Sequence, residues 1–236
     1  MNSELKRMIQ ESNNIVFFGG AGVSTESGIP DFRSAEGIYN NNYYIPPETI
    51  LSHDFFFEEP EEFYKFYKEK LLYPYAKPNK AHQALAKLEK EGKLSAVITQ
   101  NIDCLHELAG SKNVLKLHGT VDKNICLKCR KRYGLDTVIN AELVPYCDCG
   151  GVIKPEVVLY KESLNSDTLQ KSVHYISNAD MLIVGGTSLV VYPAAGLIDY
   201  YKGDKLVLIN KSSTSADKRA DLVINESIGK VFEDLL

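Results

Sequence analysis

Six short apolar runs, each about as long as a β-strand, constrain the fold more than any other feature of the sequence. They cover residues 15–18, 96–98, 114–117, 181–184, 205–209 and 222–224. Most are apolar at successive positions, which is typical of parallel strands that are covered on both faces. Helical patterns lie between several of them, and alternating strands and helices predict an α/β domain with a doubly wound, Rossmann-like parallel sheet.

Two stretches interrupt this alternation. Residues 29–78 are rich in aromatic residues, proline and asparagine, and the pattern predicts a helix over residues 60–72 with Pro60 in its first turn. Residues 119–156 hold four of the five cysteines. The chain of 236 residues is long enough for one large domain with such insertions. We therefore expect the two insertions to fold together as a smaller lobe.

The cysteines form two close pairs. Cys126-Leu-Lys-Cys129 is followed, after 17 intervening residues, by Cys147-Asp-Cys149. Each pair supplies two thiolates from one tight turn, which is what a tetrahedral Zn²⁺ requires, whereas the alternative is a set of four ordinary thiols. Because a site of four cysteines leaves no open position for water, the pattern predicts one structural zinc ion rather than a catalytic one.

Composition excludes several classes of function. The chain is 44% hydrophobic and 25% charged, with a net charge of −4, which is ordinary for a soluble globular protein and gives no sign of a nucleic-acid surface. No apolar run approaches the roughly 20 residues that span a bilayer, and the N-terminal residues lack the apolar core of a signal peptide. An odd number of cysteines argues against a disulfide framework. We expect a cytoplasmic protein without nucleic-acid or membrane partners.

Residues 15–33, IVFFGGAGVSTESGIPDFR, join the first apolar run to a glycine-rich turn. The turn departs from a dinucleotide fingerprint because Thr25 stands where the third small residue belongs, and no strand ending in an acidic residue follows about 20 positions later. A dehydrogenase therefore fits poorly. Gly20 and Gly22 still allow backbone N–H groups to approach a pyrophosphate, and we expect a short helix to begin near Val23 with its positive end towards that group.

Polar residues follow two of the predicted strands. Thr99-Gln-Asn-Ile-Asp103 follows the second run, and His118-Gly119 follows the third. The carboxyl ends of parallel strands form the usual ligand edge of such a sheet. A single histidine is more often structural than catalytic, but the position of His118 beside amide and carboxylate groups leaves a catalytic role equally open.

Taken together, these motifs resemble those of one family. GAGVSTESGIPDFR, TQNID, LHG, the two cysteine pairs, GTSLVVYPA and LIN occur in the order found in the sirtuins, NAD-dependent protein lysine deacylases, and span essentially the whole chain. The resemblance implies a single catalytic domain over residues 1–236 of the short bacterial type. It implies a large NAD-binding part at about 1–30, 79–118 and 157–236, and a small lobe at about 31–78 and 119–156, with a zinc ribbon in the second stretch.

The resemblance also implies a set of site residues around NAD as co-substrate. The phosphate and ribose region would be Ala21, Thr25 and Arg33, with Phe32 shielding the nicotinamide ribose. The nicotinamide pocket would comprise Gln100, Asn101, Ile102 and Asp103, and the adenosine half would be held by Thr187, Ser188, Asn210 and Ile228. His118, Asn101 and Asp103 would be the catalytic residues, and His118 would also contact the cofactor.

The family's chemistry transfers the acyl group of an acyl-lysine to ADP-ribose. The acyl oxygen displaces nicotinamide at the ribose carbon C1′. A histidine, here His118, then acts as the general base for the ribose hydroxyl that attacks the resulting intermediate. The ordinary histidine pKa of about 6.5 suits that role. Acetyl-lysine proteins or peptides are the implied partners, and no oligomer is implied. Two alternatives remain: a mono-ADP-ribosyltransferase using the same NAD site, and a catalytically silent NAD-binding or zinc-stabilised interaction module.

Residues 157–162 correspond to the family's substrate-binding strand, to whose edge a peptide would add by backbone hydrogen bonds. Leu159 stands where an aromatic residue is common, and Lys161 replaces a glycine, so Lys161 either alters peptide preference or is a solvated loop residue. Tyr67 stands where desuccinylating members carry an arginine, which predicts a preference for uncharged acyl groups. Cys104, outside the zinc set, is either a redox-sensitive thiol or a packing residue.

Overall fold

The protein is described by a computed structural model that covers residues 2–40 and 43–236. Two sheets are formed by the described residues. Their strands are β1 (Ile15–Gly19), β2 (Leu94–Thr99), β3 (Val114–Lys116), β4 (Gly119–Cys126), β5 (Arg132–Tyr133), β6 (Ile153–Val157), β7 (Met181–Gly185), β8 (Leu206–Ile209) and β9 (Leu222–Ile224).

The larger sheet has six strands in the order β3-β2-β1-β7-β8-β9, and every neighbouring pair is parallel. This is the strand order of a Rossmann-like sheet, with its switch point between β1 and β7. All six apolar runs of the sequence form its strands, which confirms the predicted fold class. In β1, Phe17 packs into the core on one face of the sheet and Phe18 into the core on the other, which explains why the run is apolar at every position.

Helices cover both faces of this sheet and build an insertion beside it. They are α1 (Ser3–Glu11), α2 (Pro47–Ile50), α3 (His53–Glu58), α4 (Pro60–Leu71), α5 (Lys80–Lys90), α6 (Leu105–Ala109), α7 (Leu135–Asn140), α8 (Ser166–Asn178) and α9 (Ile228–Phe232). The apolar sides of α1, α5 and α9 lie on one face, and α8 with the 3₁₀ segment Ala194–Tyr200 lies on the other. None of the described helices is long and apolar enough to cross a bilayer.

The helical insertion and the second sheet share a separate core. That sheet is antiparallel, in the order β5-β4-β6. The core is largely aromatic: α3 and α4 contribute Phe56, Phe63, Tyr64 and Tyr67, which pack with side chains from the strands, including Val121 and Val157. The rings of Phe63 and Tyr67 are stacked with their centroids 5.5 Å apart. Because these rings bury a large apolar area, this small unit forms a water-excluding core although its sheet has only three strands.

One local prediction from the sequence was wrong. In place of a short α-helix from Val23, the chain makes two 3₁₀ turns, Ala21–Val23 and Thr25–Ser27. Gly28, whose φ is +84°, ends the second turn, and Pro30 prevents a helix from continuing. Ser227 occupies the N-cap position of α9, but its side chain does not cap the helix; the carboxylate of Glu26 instead accepts a hydrogen bond from Gly229 N at 2.7 Å.

Candidate active site and metal centre

A deep cleft of about 1070 Å³ lies at the carboxyl ends of the parallel strands, between the large sheet and the helical insertion. All thirteen residues predicted to contact the cofactor line this cleft. They are Ala21, Thr25, Phe32, Arg33, Gln100, Asn101, Ile102, Asp103, His118, Thr187, Ser188, Asn210 and Ile228. They come from six separate segments of the chain, and the fold brings them to one site because the parallel strands all end at the same edge.

Backbone, rather than side chains, forms the floor of the cleft after β1 and β7. Gly22 N donates to Gly186 O at 2.8 Å. A Cβ atom on Gly22 would lie 2.8 Å from Gly186 Cα, and one on Gly20 would lie 2.8 Å from Thr187 Cβ. Only residues without a Cβ allow the two loops to meet this closely. The result is a narrow backbone surface that a pyrophosphate can approach.

Ser24 joins the glycine-rich turn to the segment after β2, a role that the sequence reasoning missed. Its hydroxyl donates to Asp103 Oδ2 at 2.8 Å and accepts from Asn101 Nδ2 at 3.1 Å. Asp103 also accepts from Leu105 N at 3.0 Å. Ser24 is only 1% exposed, so these bonds are sheltered from water. The network fixes both the amide of Asn101 and the carboxylate of Asp103 at the cleft wall.

Lys116 supports the same segment from behind. Its ammonium group donates to Asp103 O at 2.8 Å, pairs with Glu107 at 2.8 Å and lies 3.1 Å from Cys104 Sγ. Burial, followed by a hydrogen bond to Asp122, raises the pKa of Cys104 to about 11. The thiolate is therefore scarce at neutral pH, which favours a packing role for Cys104 over a redox-sensitive one.

His118 follows β3 directly, and its ring is anchored by one nitrogen. Nδ1 lies 3.0 Å from Gln100 O. Because a carbonyl oxygen only accepts, this partner assigns the proton to Nδ1 and leaves the lone pair on Nε2. Burial lowers the pKa of His118, while the hydrogen bond to the Gln100 backbone acts in the opposite direction. The ring is therefore neutral near pH 7 and is able to accept a proton in the cleft.

The opposite end of the cleft carries polar groups suited to a nucleoside. Thr187 N donates to Asn210 Oδ1 at 2.9 Å, and Gln100 Nε2 donates to Thr187 Oγ1 at 2.9 Å. Asn210 Nδ2 is buried and has no hydrogen-bond partner among the described residues. A buried donor without a partner is costly unless a ligand satisfies it, so this end fits a ribose hydroxyl. Ile228 is 2% exposed and packs beneath this wall, whereas Ser188 is exposed.

Tyr39, which the sequence reasoning did not single out, orders the aromatic and cationic residues at the mouth of the cleft. The Phe32 ring meets the Tyr39 ring edge-on, with centroids 5.3 Å apart, and the Arg33 guanidinium lies 5.2 Å from the same ring centroid. The Tyr39 hydroxyl is 2.8 Å from the Tyr160 hydroxyl. Burial raises the pKa of Tyr39 well above its usual range. Tyr39 thus ties the loop that carries Phe32 and Arg33 to the segment 157–162.

The segment 157–162 runs beside His118. Val158 N donates to His118 O at 2.9 Å. Lys161 has a φ of +72°, the left-handed conformation that favours glycine, so the backbone here keeps the shape expected of the family's glycine although the side chain differs. The Lys161 ammonium pairs with Asp54 at 2.5 Å, and both side chains are exposed.

The four paired cysteines meet at one point in the second sheet. Their sulfur atoms all lie within 4.8 Å of one another, with 3.5 Å between Cys126 and Cys149 and between Cys129 and Cys147. Four thiolates around a tetrahedral zinc ion are about 3.8 Å apart, so the set is positioned to bind one metal ion. The Tyr133 hydroxyl donates to Cys147 Sγ at 2.9 Å. The arrangement is consistent with the predicted structural zinc.

Comparison with known proteins gives consistent results. A model of the Sir2 family matches residues 20–193. An NAD-dependent protein deacetylase of Clostridium tetani is 64% identical over 232 residues, which cover 97% of this chain and 94% of the relative. One of Clostridium acetobutylicum is 60% identical over 238 residues, covering 99% and 97%. A solved structure of Sir2 with a p53 peptide and NAD+ is 42% identical, with a TM-score of 0.87 over 100% of this chain and 97% of that one.

Proposed function

The chain belongs to the Sir2 family, and on that premise we propose that its cleft binds NAD and an acetyl-lysine peptide and that the protein is an NAD-dependent protein deacetylase. Relatives at 64% and 60% identity carry that name, and solved Sir2 structures hold an acetylated peptide or a p53 peptide with NAD+. The observation that carries the proposal is the convergence of thirteen residues from six segments on one cleft, with the free nitrogen of His118 available there.

We assign the residues by where they lie in the cleft. NAD supplies an activated ribose carbon whose bond to nicotinamide is exchanged for a bond to the acyl oxygen. Gly20 and Gly22 would offer backbone to the pyrophosphate, and Asn210 Nδ2 would donate to the adenosine ribose. Asn101 and Asp103, held by Ser24, orient the nicotinamide end.

His118 acts as the general base in this assignment. Its Nε2 takes the proton of a ribose hydroxyl, and Nδ1 remains bonded to Gln100 O throughout, so the imidazole does not turn as it becomes charged. The same carbonyl stabilises the imidazolium that forms, as a fixed hydrogen-bond acceptor does in other histidine bases. The four cysteines hold zinc away from this chemistry and stabilise the second sheet.

An assay with NAD and an acetyl-lysine peptide tests the proposal. We expect nicotinamide and O-acetyl-ADP-ribose in equal amounts, with free lysine in the peptide. ADP-ribose attached to protein, without loss of the acetyl group, would instead identify a mono-ADP-ribosyltransferase. Binding of NAD with neither product would identify a silent binding module. Metal analysis of the purified protein, with one zinc expected per chain, tests the cysteine site separately.

We further propose a preference for uncharged acyl groups. Tyr67 occupies the position of the desuccinylases' arginine, and it is fully buried in the aromatic core with no cation in its place. A carboxylated acyl chain would lose its hydration without gaining an ion pair there. Matched acetyl and succinyl peptides provide the measurement: a higher kcat/KM for the succinyl peptide would contradict this preference.

The lobe boundaries and the location in the cell are also proposals. The six parallel strands all lie within 1–30, 79–118 and 157–236, and the aromatic core lies mainly within 31–78 and 119–156, which supports the division into a large part and a small lobe. A set of free thiols around zinc suits a reducing compartment, so we propose the cytoplasm. Limited proteolysis and cell fractionation test the two proposals.

A further inference from the structure

Two charged residues without an assigned role, Lys154 and Glu162, meet at the segment 157–162, of which Glu162 is the last residue. Lys154 is on β6, and Glu162 follows Lys161. Their side chains are 13% and 22% exposed, and Lys154 Nζ lies 3.2 Å from the Glu162 carboxylate. The neighbouring pair of Lys161 and Asp54 is far more exposed, at 66% and 49%. A sheltered ion pair keeps its geometry and strength in a way that an exposed pair does not.

Glu162 forms two hydrogen bonds with Leu159 inside the segment. Its Oε2 accepts from Leu159 N at 2.9 Å, while Glu162 N donates to Leu159 O at 3.0 Å. These reciprocal bonds fix the backbone between the two residues, including the left-handed Lys161. A carboxylate that accepts a backbone N–H forms a charge-assisted bond, which is stronger than one between neutral groups.

Lys154 secures the beginning of the same segment. Its ammonium donates to Val157 O at 3.2 Å and to Pro155 O at 3.4 Å. It also lies 5.8 Å from the ring centroid of Phe56, which is buried on α3. Lys154 therefore links the second sheet, the helical insertion and the segment through one charged group.

The bonds of this pair alternate with backbone bonds from elsewhere. Val158 N donates to His118 O at 2.9 Å, and Tyr160 N donates to Leu51 O at 2.9 Å. Each residue from 157 to 160 is thus held by a hydrogen bond to its own backbone. The partner of Val158 is the backbone carbonyl of His118, the proposed base.

We propose that Lys154 and Glu162 are positioning residues for the peptide: they hold the backbone of residues 157–162 in the shape that receives the acyl-lysine chain beside His118. This inference rests on the proposed function. A strand edge that is already ordered binds a peptide without first losing conformational entropy. Loss of the pair weakens peptide binding and leaves the NAD half of the cleft, which is built from other segments, unchanged.

Steady-state kinetics and amide hydrogen exchange test the inference. We expect Glu162→Ala to raise the peptide KM by about 10- to 100-fold, the loss that corresponds to a hydrogen bond with a charged group. The affinity for NAD without peptide and the zinc content are expected to stay at their wild-type values. Exchange of the Leu159 amide is expected to accelerate by a similar factor. Lys154→Met is expected to raise the peptide KM as well, and Lys154→Arg to retain the wild-type value.

Further variants separate positioning from charge alone. Asp54→Asn removes the exposed ion pair at Lys161 and serves as the matched control, with an unchanged peptide KM. The exchanged pair, Lys154→Glu with Glu162→Lys, keeps opposite charges, but a lysine at 162 cannot accept from Leu159 N, so we expect no rescue. Rescue by the exchanged pair would overturn the inference. If Glu162→Ala does not fold, Glu162→Gln, which keeps an acceptor oxygen and loses the ion pair, provides the same measurements with a smaller expected rise in peptide KM.

Failure of the inference is distinct from failure of the proposed function. An active wild type whose Lys154 and Glu162 variants keep the wild-type peptide KM would overturn the positioning role alone. A wild type without NAD-dependent deacetylation would overturn the proposed function. In that case the amide hydrogen exchange of Leu159 in Glu162→Ala still tests whether Glu162 fixes the backbone of residues 157–162. An unchanged exchange rate would overturn that claim, and an accelerated rate would support it.

Discussion

Histidines that are partly or fully shielded from water lie in two regions of this molecule, and the regions differ in what surrounds the ring nitrogens. At the end of β3, His118 Nδ1 donates to Gln100 O, so the lone pair on Nε2 is available to the cleft. At the interface of α5 and α6, His82 Nδ1 lies 3.2 Å from Asn79 N and 3.0 Å from Asn79 Oδ1 in the capping box of α5, so this nitrogen is already engaged at the start of its own helix. Its Nε2 is buried without a partner among the described residues.

His106 extends the second region. Its ring lies 4.7 Å from that of His82 and 6.3 Å from that of Phe17, and neither of its nitrogens has a partner in the part of the chain that the structure describes. Burial lowers the pKa of His82 to about 4 and that of His106 well below its usual value. Burial alone therefore does not mark a catalytic histidine; what distinguishes His118 is a backbone acceptor behind the ring and a cleft in front of it.

The largest expected effect is the loss of the base. His118→Ala is expected to lower kcat for deacetylation by about 10²- to 10⁴-fold, the usual contribution of a general base. The zinc content and the unfolding midpoint are expected to remain those of the wild type, because the ring makes one hydrogen bond at the cleft surface. Near-normal turnover in this variant would show that the tautomer of His118 has no catalytic consequence.

The second effect is an acid limit on stability set by His82 and His106. Both are neutral in the folded protein and regain an ordinary pKa of about 6.5 on unfolding, so the unfolded state binds more protons as the pH falls below that value. From His82 alone, the free energy of unfolding is expected to fall by about 3 kcal/mol between pH 6.5 and pH 4. Urea unfolding at several pH values measures it, and a constant free energy over this interval would contradict the argument.

The smallest effect separates this histidine pair from the carboxylates that also titrate in acid. His106→Leu replaces a ring that makes no hydrogen bond among the described residues by an apolar group of similar size. Stability at pH 7 is expected to change by less than about 1 kcal/mol, and the variant is expected to be more stable than the wild type at pH 5. His174→Ala, at an exposed position on α8, is the control. Equal acid sensitivity of His106→Leu and the wild type would remove His106 from the explanation.

The parts of this structure that could be predicted depend on local pattern. The strands follow from apolar runs, because a strand covered on both faces needs an apolar residue at every position. The cysteine site follows from spacing within two turns. The cleft residues came from family resemblance, and their roles stay predictions, but their convergence on one cleft is a property of parallel strands that end at a common edge.

The parts that could not be predicted depend on contacts between distant residues. Ser24 bonds Asp103, 79 positions away, and Tyr39 bonds Tyr160, 121 positions away. Neither partner is visible in the sequence around the other. The tautomer of His118 is of the same kind, because it is decided by the Gln100 carbonyl, which the fold brings to the ring. The sequence shows which residues are polar, whereas the fold decides which of their atoms remain free.

The contact between Gly22 and Gly186 limits how this site can change. Each glycine occupies the space that a side chain on the other would need, and a hydrogen bond joins their backbones. A side chain at either position would clash with the backbone of the other loop, so neither glycine can be replaced on its own without disturbing the floor of the cleft. A library designed to alter cofactor preference would return inactive clones from these two positions, and its productive diversity would have to come from exposed positions on the rim, such as Ser188.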